Sequence, residues 1–176
     1  MYDIIIIGGG AAGMSAAIYA MRGGMKTLLL EKVATGGQAA KTYEIDNYPG
    51  FADCPTGPDL MQKFREHTEK FDIEIRTEAV REITDIEKSV KTVKTRKGEY
   101  QTRTIIFATG ASPKKLGVSG EAELSGAGVS YCATCDGEFF TGKEVFVIGG
   151  GFAAAEESVF LTRYARHVTL LVREDD

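Results

Sequence analysis

Residues 2–13 read YDIIIIGGGAAG, and the fold of the chain turns on them. The run from Tyr2 to Ile7 is rich in β-branched residues and does not alternate, which predicts a strand buried on both faces, as in a parallel sheet. Gly8, Gly10 and Gly13 then spell G-x-G-x-x-G. Small apolar residues (Ala16, Ala17, Ile18, Ala20, Met21) continue to Arg22 and predict a helix able to pack closely on a sheet. Gly23-Gly24 ends it. Thr27 to Leu30 predicts a second buried strand with Glu31 at its end. Together these form one βαβ unit.

Each part of the motif has a physical task. Gly8 permits the tight turn, Gly10 lets the backbone approach a pyrophosphate, and Gly13 lets helix and strand pack closely. The pyrophosphate would sit at the helix N-terminus, where free N–H groups and the helix dipole favour negative charge. Glu31 can accept hydrogen bonds from the ribose of an adenosine. With strand, helix, second strand and acid in context, a dinucleotide site is a better reading than a ligand-free turn. The motif alone does not choose between FAD and NAD.

The unit occurs twice. Glu144 to Ile148 predicts another buried strand. Gly149, Gly151 and Ala154 then spell G-x-G-x-x-A, followed by a helix to about Ala165 and a strand from Val168 to Val172. Position 149 against position 8 is an offset of 141, and at that offset the two units align without a gap. A spacing this long indicates two dinucleotide domains rather than a solenoid repeat. The position matching Glu31 is Val172, which argues against an NAD ribose contact. Arg173 is a candidate for a 2′-phosphate, but Glu174, Asp175 and Asp176 follow and would repel one; these acids also read as a solvated strand end. The second nucleotide stays open.

Between the units, Gly36-Gly37-Gln38 opens a long loop running through Asn47-Tyr48-Pro49-Gly50 to Pro58. Asp59 to Phe71 predicts an amphipathic helix with Leu60, Phe64 and Phe71 toward the core. Residues 73–75, 79–87, 90–96 and 100–103 predict exposed antiparallel strands, with Lys97-Gly98-Glu99 as a hairpin turn. Thr104 to Ala108 predicts a separate buried strand closed by Thr109-Gly110. Residues 111–128, rich in Gly, Ser and Pro, predict the domain linker.

Composition bounds the function. The chain has 176 residues, 43% apolar and 26% charged, the proportions of a soluble globular protein. A net charge of -4 gives no electrostatic case for nucleic acid. The Ile4–Ile7 stretch is too short for a signal peptide or a membrane span, so a cytoplasmic location is expected. Three cysteines are too few to staple a secreted mini-protein. Two of them form Cys132-Ala133-Thr134-Cys135, followed by Asp136. Thiols at this spacing can close and reopen a disulfide, and an adjacent acid can move a proton to or from a thiolate. At a helix N-terminus one of the thiols would have a lowered pKa. Zinc would need four ligands, and outside the pair the chain offers only Cys54, His67 and His167, none paired at ligand spacing. No metal site is expected; redox use leads, ahead of zinc or inert buried thiols. His67, on a helix rich in charge, reads as solvated, and Cys54 as a free cysteine.

Nucleotide motif, linker, CATCDG at 132–137 and second nucleotide motif, with GGQ at 36–38, NYPG at 47–50 and ATG at 108–110, resemble the low-molecular-weight thioredoxin reductases of bacteria. The resemblance implies an α/β chain of two Rossmann-like dinucleotide-binding domains, the second incomplete, with a small antiparallel β insertion in the first. It assigns residues 1–112 to an FAD-binding domain and 113–176 to a redox-dithiol and nicotinamide domain. Gly8, Gly10, Gly13, Glu31, Gly37, Gln38 and Asn47 would line the FAD site. Gly149, Gly151, Ala154 and Arg173 would serve the nicotinamide nucleotide. Cys135 would face the flavin, Cys132 would attack the thioredoxin disulfide, and Asp136 matches the family's acid. Family members are typically homodimers, and their nicotinamide domain swings relative to the flavin domain, with the segment after Gly110 as one hinge strand.

The sequence departs from that pattern twice. Where the family carries a His-Arg-Arg run for the 2′-phosphate, this chain has Val172-Arg173-Glu174, which favours ferredoxin over NADPH as electron donor. The chain also stops at Asp176, before the Gly-Asp segment with which family members complete the FAD domain. A fragment is therefore expected, one that holds FAD poorly by itself. A non-catalytic fragment is the competing reading from another class. A flavoprotein serving alkyl hydroperoxide reductase ranks lower, because Met1 leads straight into the first strand.

Overall fold

The computed structural model describes residues 1–42, 44–53 and 55–173, which fall into two units, Met1–Ser112 and Pro113–Asp176. Each is an α/β layer built around a parallel strand pair.

In the first unit the isoleucine run forms β1 (Tyr2–Ile7), flanked in parallel by β2 (Thr27–Glu31) on one side and β6 (Glu99–Phe107) on the other. The full order is β3-β2-β1-β6-β5-β4, with β3 spanning Glu74–Thr77, β4 Val80–Thr84 and β5 Lys91–Thr95. The absence of alternation in β1 has a direct cause: both faces are covered. Ile6 and Leu29 pack with Met14, Ala17, Met61 and Ile73. On the other face Ile5, Ile7, Leu28 and Leu30 meet Val93 of β5, with Val80 and Ile83 of β4 alongside. Ile5, Ile6, Leu28 and Leu29 are fully buried. Each such side chain is worth about 1.5–3 kcal/mol on burial.

Helix α1 (Ala11–Arg22) lies against this sheet through small residues, and Gly23 N–H caps it on Tyr19 O at 2.9 Å. Helix α2 (Gly57–Glu69) begins two residues before the predicted Asp59, because Thr56 is its N-cap. The Thr56 Oγ1 accepts the Asp59 N–H at 3.3 Å and donates to Asp59 Oδ2 at 2.6 Å. The helix stops at Glu69, and Asp72 follows with a φ of 54°, so Phe71 lies beyond it. Leu60 is buried, Phe64 half-buried and His67 exposed.

Two strand predictions are corrected. β3 pairs parallel to β2, with Leu29 opposite Ile75, and not antiparallel. The α2 crossover between them forces this direction, since a parallel pair needs a long connection. Residues 99–107 are one strand, β6, which is antiparallel to β5 over Glu99–Thr102 and parallel to β1 from Thr102 to Phe107; its second half is not buried as expected, Phe107 being 65% exposed. No turn-forming residue interrupts that stretch.

In the second unit β7 (Glu144–Ile148) and β8 (His167–Leu171) form a two-stranded parallel sheet joined through α4 (Phe152–Leu161). β7 was expected to be buried, yet Phe146 is 61% and Ile148 55% exposed, because two strands and one helix cannot cover both faces. Helix α4 ends four residues before the predicted Ala165. The chain then turns so that Tyr164 O accepts the Gly142 N–H at 2.9 Å. Among the described residues no helix is long and apolar enough to cross a membrane.

Candidate functional site

The first Gly-rich turn is shaped by contacts that only glycine tolerates. Gly8 has a φ of 110° and donates its N–H to Leu30 O at 2.8 Å. A Cβ on Gly13 would lie 1.8 Å from Gly8 O, so helix and turn touch backbone to backbone. Gly10, at the N-terminus of α1, has no side-chain cap, and the first turn of the helix holds no acid. A helix N-terminus with neither cap nor acid offers free N–H groups and the positive end of the dipole, the arrangement that takes an anion.

Glu31 closes this turn from the end of β2. Its Oε2 accepts the Gly9 N–H at 2.7 Å and its Oε1 the Val33 N–H at 3.2 Å. A carboxylate has about four lone-pair sites, so capacity remains for a ribose hydroxyl. The 36–38 loop docks on the same turn: Gly36 N–H donates to Gly9 O at 2.8 Å, and a Cβ on Gly37 would lie 3.1 Å from Gly10 Cα. Gln38 Nε2 reaches Ala111 O at 2.8 Å and Ser112 Oγ at 3.3 Å, which ties that loop to the segment after Gly110. Gly8, Gly10, Gly13, Glu31 and Gly37 are thus assembled around one turn, while Gln38 reaches Ala111 and Ser112. Asn47 instead lies exposed on the loop where the Tyr48 ring packs tilted against Phe51 and Phe64.

The second turn repeats the first in register. Ile4 pairs with Thr27 and Ile7 with Leu30; at the offset of 141, Val145 pairs with Val168 and Ile148 with Leu171. Gly149 donates to Leu171 O at 2.9 Å, the counterpart of the Gly8 bond. Two side chains differ. Ala154 occupies the Gly13 position, and its methyl would lie 3.1 Å from a Cβ on Gly149. Val172 occupies the Glu31 position, and its Cγ1 would lie 2.8 Å from a Cβ on Gly150, so an apolar group stands where the first turn has a carboxylate. Gly151 has open space around it, α4 has neither side-chain cap nor acid in its first turn, and Arg173 is exposed. Glu174, Asp175 and Asp176 lie outside the described residues, as does Cys54.

Cys132 and Cys135 are joined in a disulfide across a Cα–Cα distance of 5.3 Å. Cys132 is half-buried and Cys135 exposed, so neither is an inert core thiol. The helix behind them, α3 (Ala133–Asp136), is a single turn in which Cys132 O accepts the N–H groups of Cys135 and Asp136. One turn carries little macrodipole.

Two partners of this dithiol loop escaped sequence reading. Ser130 Oγ donates to Asp136 Oδ2 at 2.5 Å and accepts the Cys132 N–H at 3.1 Å. Glu121 is 7% exposed and accepts the Leu116 N–H at 2.8 Å, the Gly117 N–H at 2.7 Å and the Tyr131 hydroxyl at 2.7 Å. The Leu116 N–H, then Tyr131 and Gly117, hold the Glu121 carboxyl below the usual carboxylate range. Neither residue carries a motif; a Ser two positions before a Cys-x-x-Cys is the faint signal available for the first.

The sequence matches the pyridine nucleotide-disulphide oxidoreductase family over residues 2–176. The thioredoxin reductase of Bacillus subtilis (strain 168) is 50% identical over 175 residues, covering 99% of this chain and 55% of that protein. The crystal structure of thioredoxin reductase from Streptococcus pyogenes MGAS5005 superposes with a TM-score of 0.92 at 44% identity, over 100% of this chain and 57% of that one. A ferredoxin-flavin thioredoxin reductase from Clostridium acetobutylicum aligns with a TM-score of 0.58 at 31% identity, over 99% of this chain and 60% of that one. The chain therefore spans a little over half the length of the relatives it matches. Matched across that whole range of residues, and built on two Gly-rich turns of one register, the chain belongs to the pyridine nucleotide-disulphide oxidoreductase family.

Proposed function

We propose that this chain carries the flavin-binding and dithiol parts of a thioredoxin reductase, with residues 1–112 holding FAD and residues 113–176 holding the dithiol and a nicotinamide-type turn. The observation that carries the reading is the accessible Cys132–Cys135 disulfide beside Asp136, on one chain with two Gly-rich turns of the same register. The first turn fits the adenosine-diphosphate part of FAD: the α1 N-terminus has no side-chain cap, and Glu31 stands at the ribose position. FAD, once bound and reduced by the electron donor, would supply the two electrons that, with two protons, reopen the Cys132–Cys135 bond.

The chain's own residues then act on the partner. Cys132, as thiolate, attacks one sulfur of the thioredoxin disulfide. A mixed disulfide forms, and the other partner sulfur leaves and takes a proton, with Asp136 as the acid. Cys135 gives up its proton and attacks Cys132 Sγ, restoring the internal disulfide and releasing the partner's second sulfur, which takes up that proton. The partner gains two electrons and two protons. Val172 beside Gly150 and the lone Arg173 support a donor other than NADPH, and the relative named for ferredoxin favours ferredoxin; NADPH is the alternative. A homodimer fits the family.

The test is a trap. Reduced chain bearing Cys135→Ser is mixed with oxidised thioredoxin and resolved without reductant. A covalent adduct that disappears in Cys132→Ser supports the reading. If no adduct forms, the chain is a non-catalytic fragment. Adduct formation only with a peroxidase partner points to alkyl hydroperoxide reductase.

A further inference from the structure

We propose that Ser130 is a positioning residue for proton transfer at the dithiol, an inference that rests on the disulfide-reductase reading above. The Ser130 hydroxyl carries one proton and two lone pairs. It lies 2.5 Å from Asp136 Oδ2 and 3.3 Å from Cys132 O, two acceptors on opposite ends of the dithiol turn, and it accepts the Cys132 N–H at 3.1 Å. One proton cannot serve both acceptors at once. With Asp136 ionised, the hydroxyl donates to Oδ2. With Asp136 protonated, the hydroxyl turns to Cys132 O, and its free lone pair accepts the carboxylic O–H. The serine therefore satisfies Asp136 in both protonation states, by rotation of its hydroxyl proton alone.

That is what a shuttle needs. Cys132 enters the step as a thiolate, its proton already lost to water, and Asp136 enters it protonated. The new Cys132–sulfur bond is made and the partner S–S bond breaks. The proton goes from Asp136 to the leaving sulfur, and water reprotonates Asp136 for the next cycle. Ser130 touches none of the reacting sulfurs; it keeps the carrier oriented through the cycle. Its other bond, from the Cys132 N–H, ties that orientation to the attacking residue.

Leaving-group chemistry separates this role from a structural one. An aromatic disulfide such as DTNB releases a thiolate of low pKa that needs no proton, whereas glutathione disulfide releases one of ordinary pKa that does. In the reduced chain, Ser130→Ala should slow exchange with glutathione disulfide on the order of tenfold while leaving the DTNB rate unchanged. Ser130→Thr, which keeps the hydroxyl, should retain the wild-type ratio. Adding Ser130→Ala to Asp136→Asn should slow glutathione exchange no further, since both act in one step. Equal slowing with both disulfides would overturn the proposal in favour of a packing role. So would an unchanged ratio, or effects of the two substitutions that add in full. These rates are read without thioredoxin, so failure to trap a thioredoxin adduct removes the partner assignment and leaves the Ser130 measurement interpretable.

Discussion

Glu31 and Gly9 are joined across 22 residues by a 2.7 Å hydrogen bond, so the acid at the end of β2 is also the strut of the Gly-rich turn. At the matching place in the second unit, Val172 packs against Gly150. The two turns share a register and differ in the group that would meet a ribose. Glu31→Ala should weaken FAD binding at least about tenfold, or about 1.4 kcal/mol, because the ribose contact and the strut go together. Titration of the purified chain with FAD, read from the flavin absorption bands, checks this. Equal retention in wild type and variant would remove Glu31 from the site.

Glycines 13 and 151 should behave oppositely. Gly13→Ala puts a methyl 1.8 Å from the Gly8 carbonyl oxygen, a backbone atom with nowhere to go. We expect a loss of at least about 1–3 kcal/mol, the usual cost of overpacking, seen as a clear drop in Tm. Gly151 has open space around it and an ordinary φ of -93°, so Gly151→Ala should leave Tm nearly unchanged. Its methyl would then stand in the approach to the second turn, and any nucleotide binding there should fall. Thermal scans of both variants make the comparison.

Thr56→Ala removes the N-cap of α2, which supplies Met61 to the core face of the sheet. The expected cost is about 1 kcal/mol. Denaturant melts should show a lower midpoint with an unchanged slope. Thr56→Asp, another good cap, should restore the midpoint.

Glu121 makes the second unit sensitive to acid. Hydrogen bonds from Leu116, Tyr131 and Gly117 lower its folded pKa below the ordinary 4.5. A depressed carboxyl stabilises the fold above the unfolded pKa, and that stabilisation is lost as pH falls through the folded one. Glu121→Gln should therefore lower stability near neutral pH, and the gap from wild type should shrink as pH drops below 4.5. Melting of residues 113–173 followed across that range by hydrogen exchange checks the sign. A gap that widens on acidification would contradict it.

What the sequence determined by itself was local. A run of β-branched residues, three glycines at fixed spacing and a small-residue helix can satisfy their backbones in few ways, so both βαβ units and their offset were readable from residue order. The Cys-x-x-Cys was readable for the same reason, since a three-residue separation leaves the sulfurs within bonding reach. Tertiary structure decided what depends on partners remote in the chain. The α2 crossover made β3 parallel, and β6 ran unbroken because it has one neighbour in each direction. Coverage by one helix left Phe146 and Ile148 exposed, which a buried-looking run of residues could not reveal. The strut from Glu31 to Gly9, the tie from Gln38 to Ala111 and the clasp of Glu121 on Leu116, Gly117 and Tyr131 are hydrogen bonds set by folded geometry. A polar side chain finds such a partner only once the backbone around it is in place, and no spacing rule encodes that.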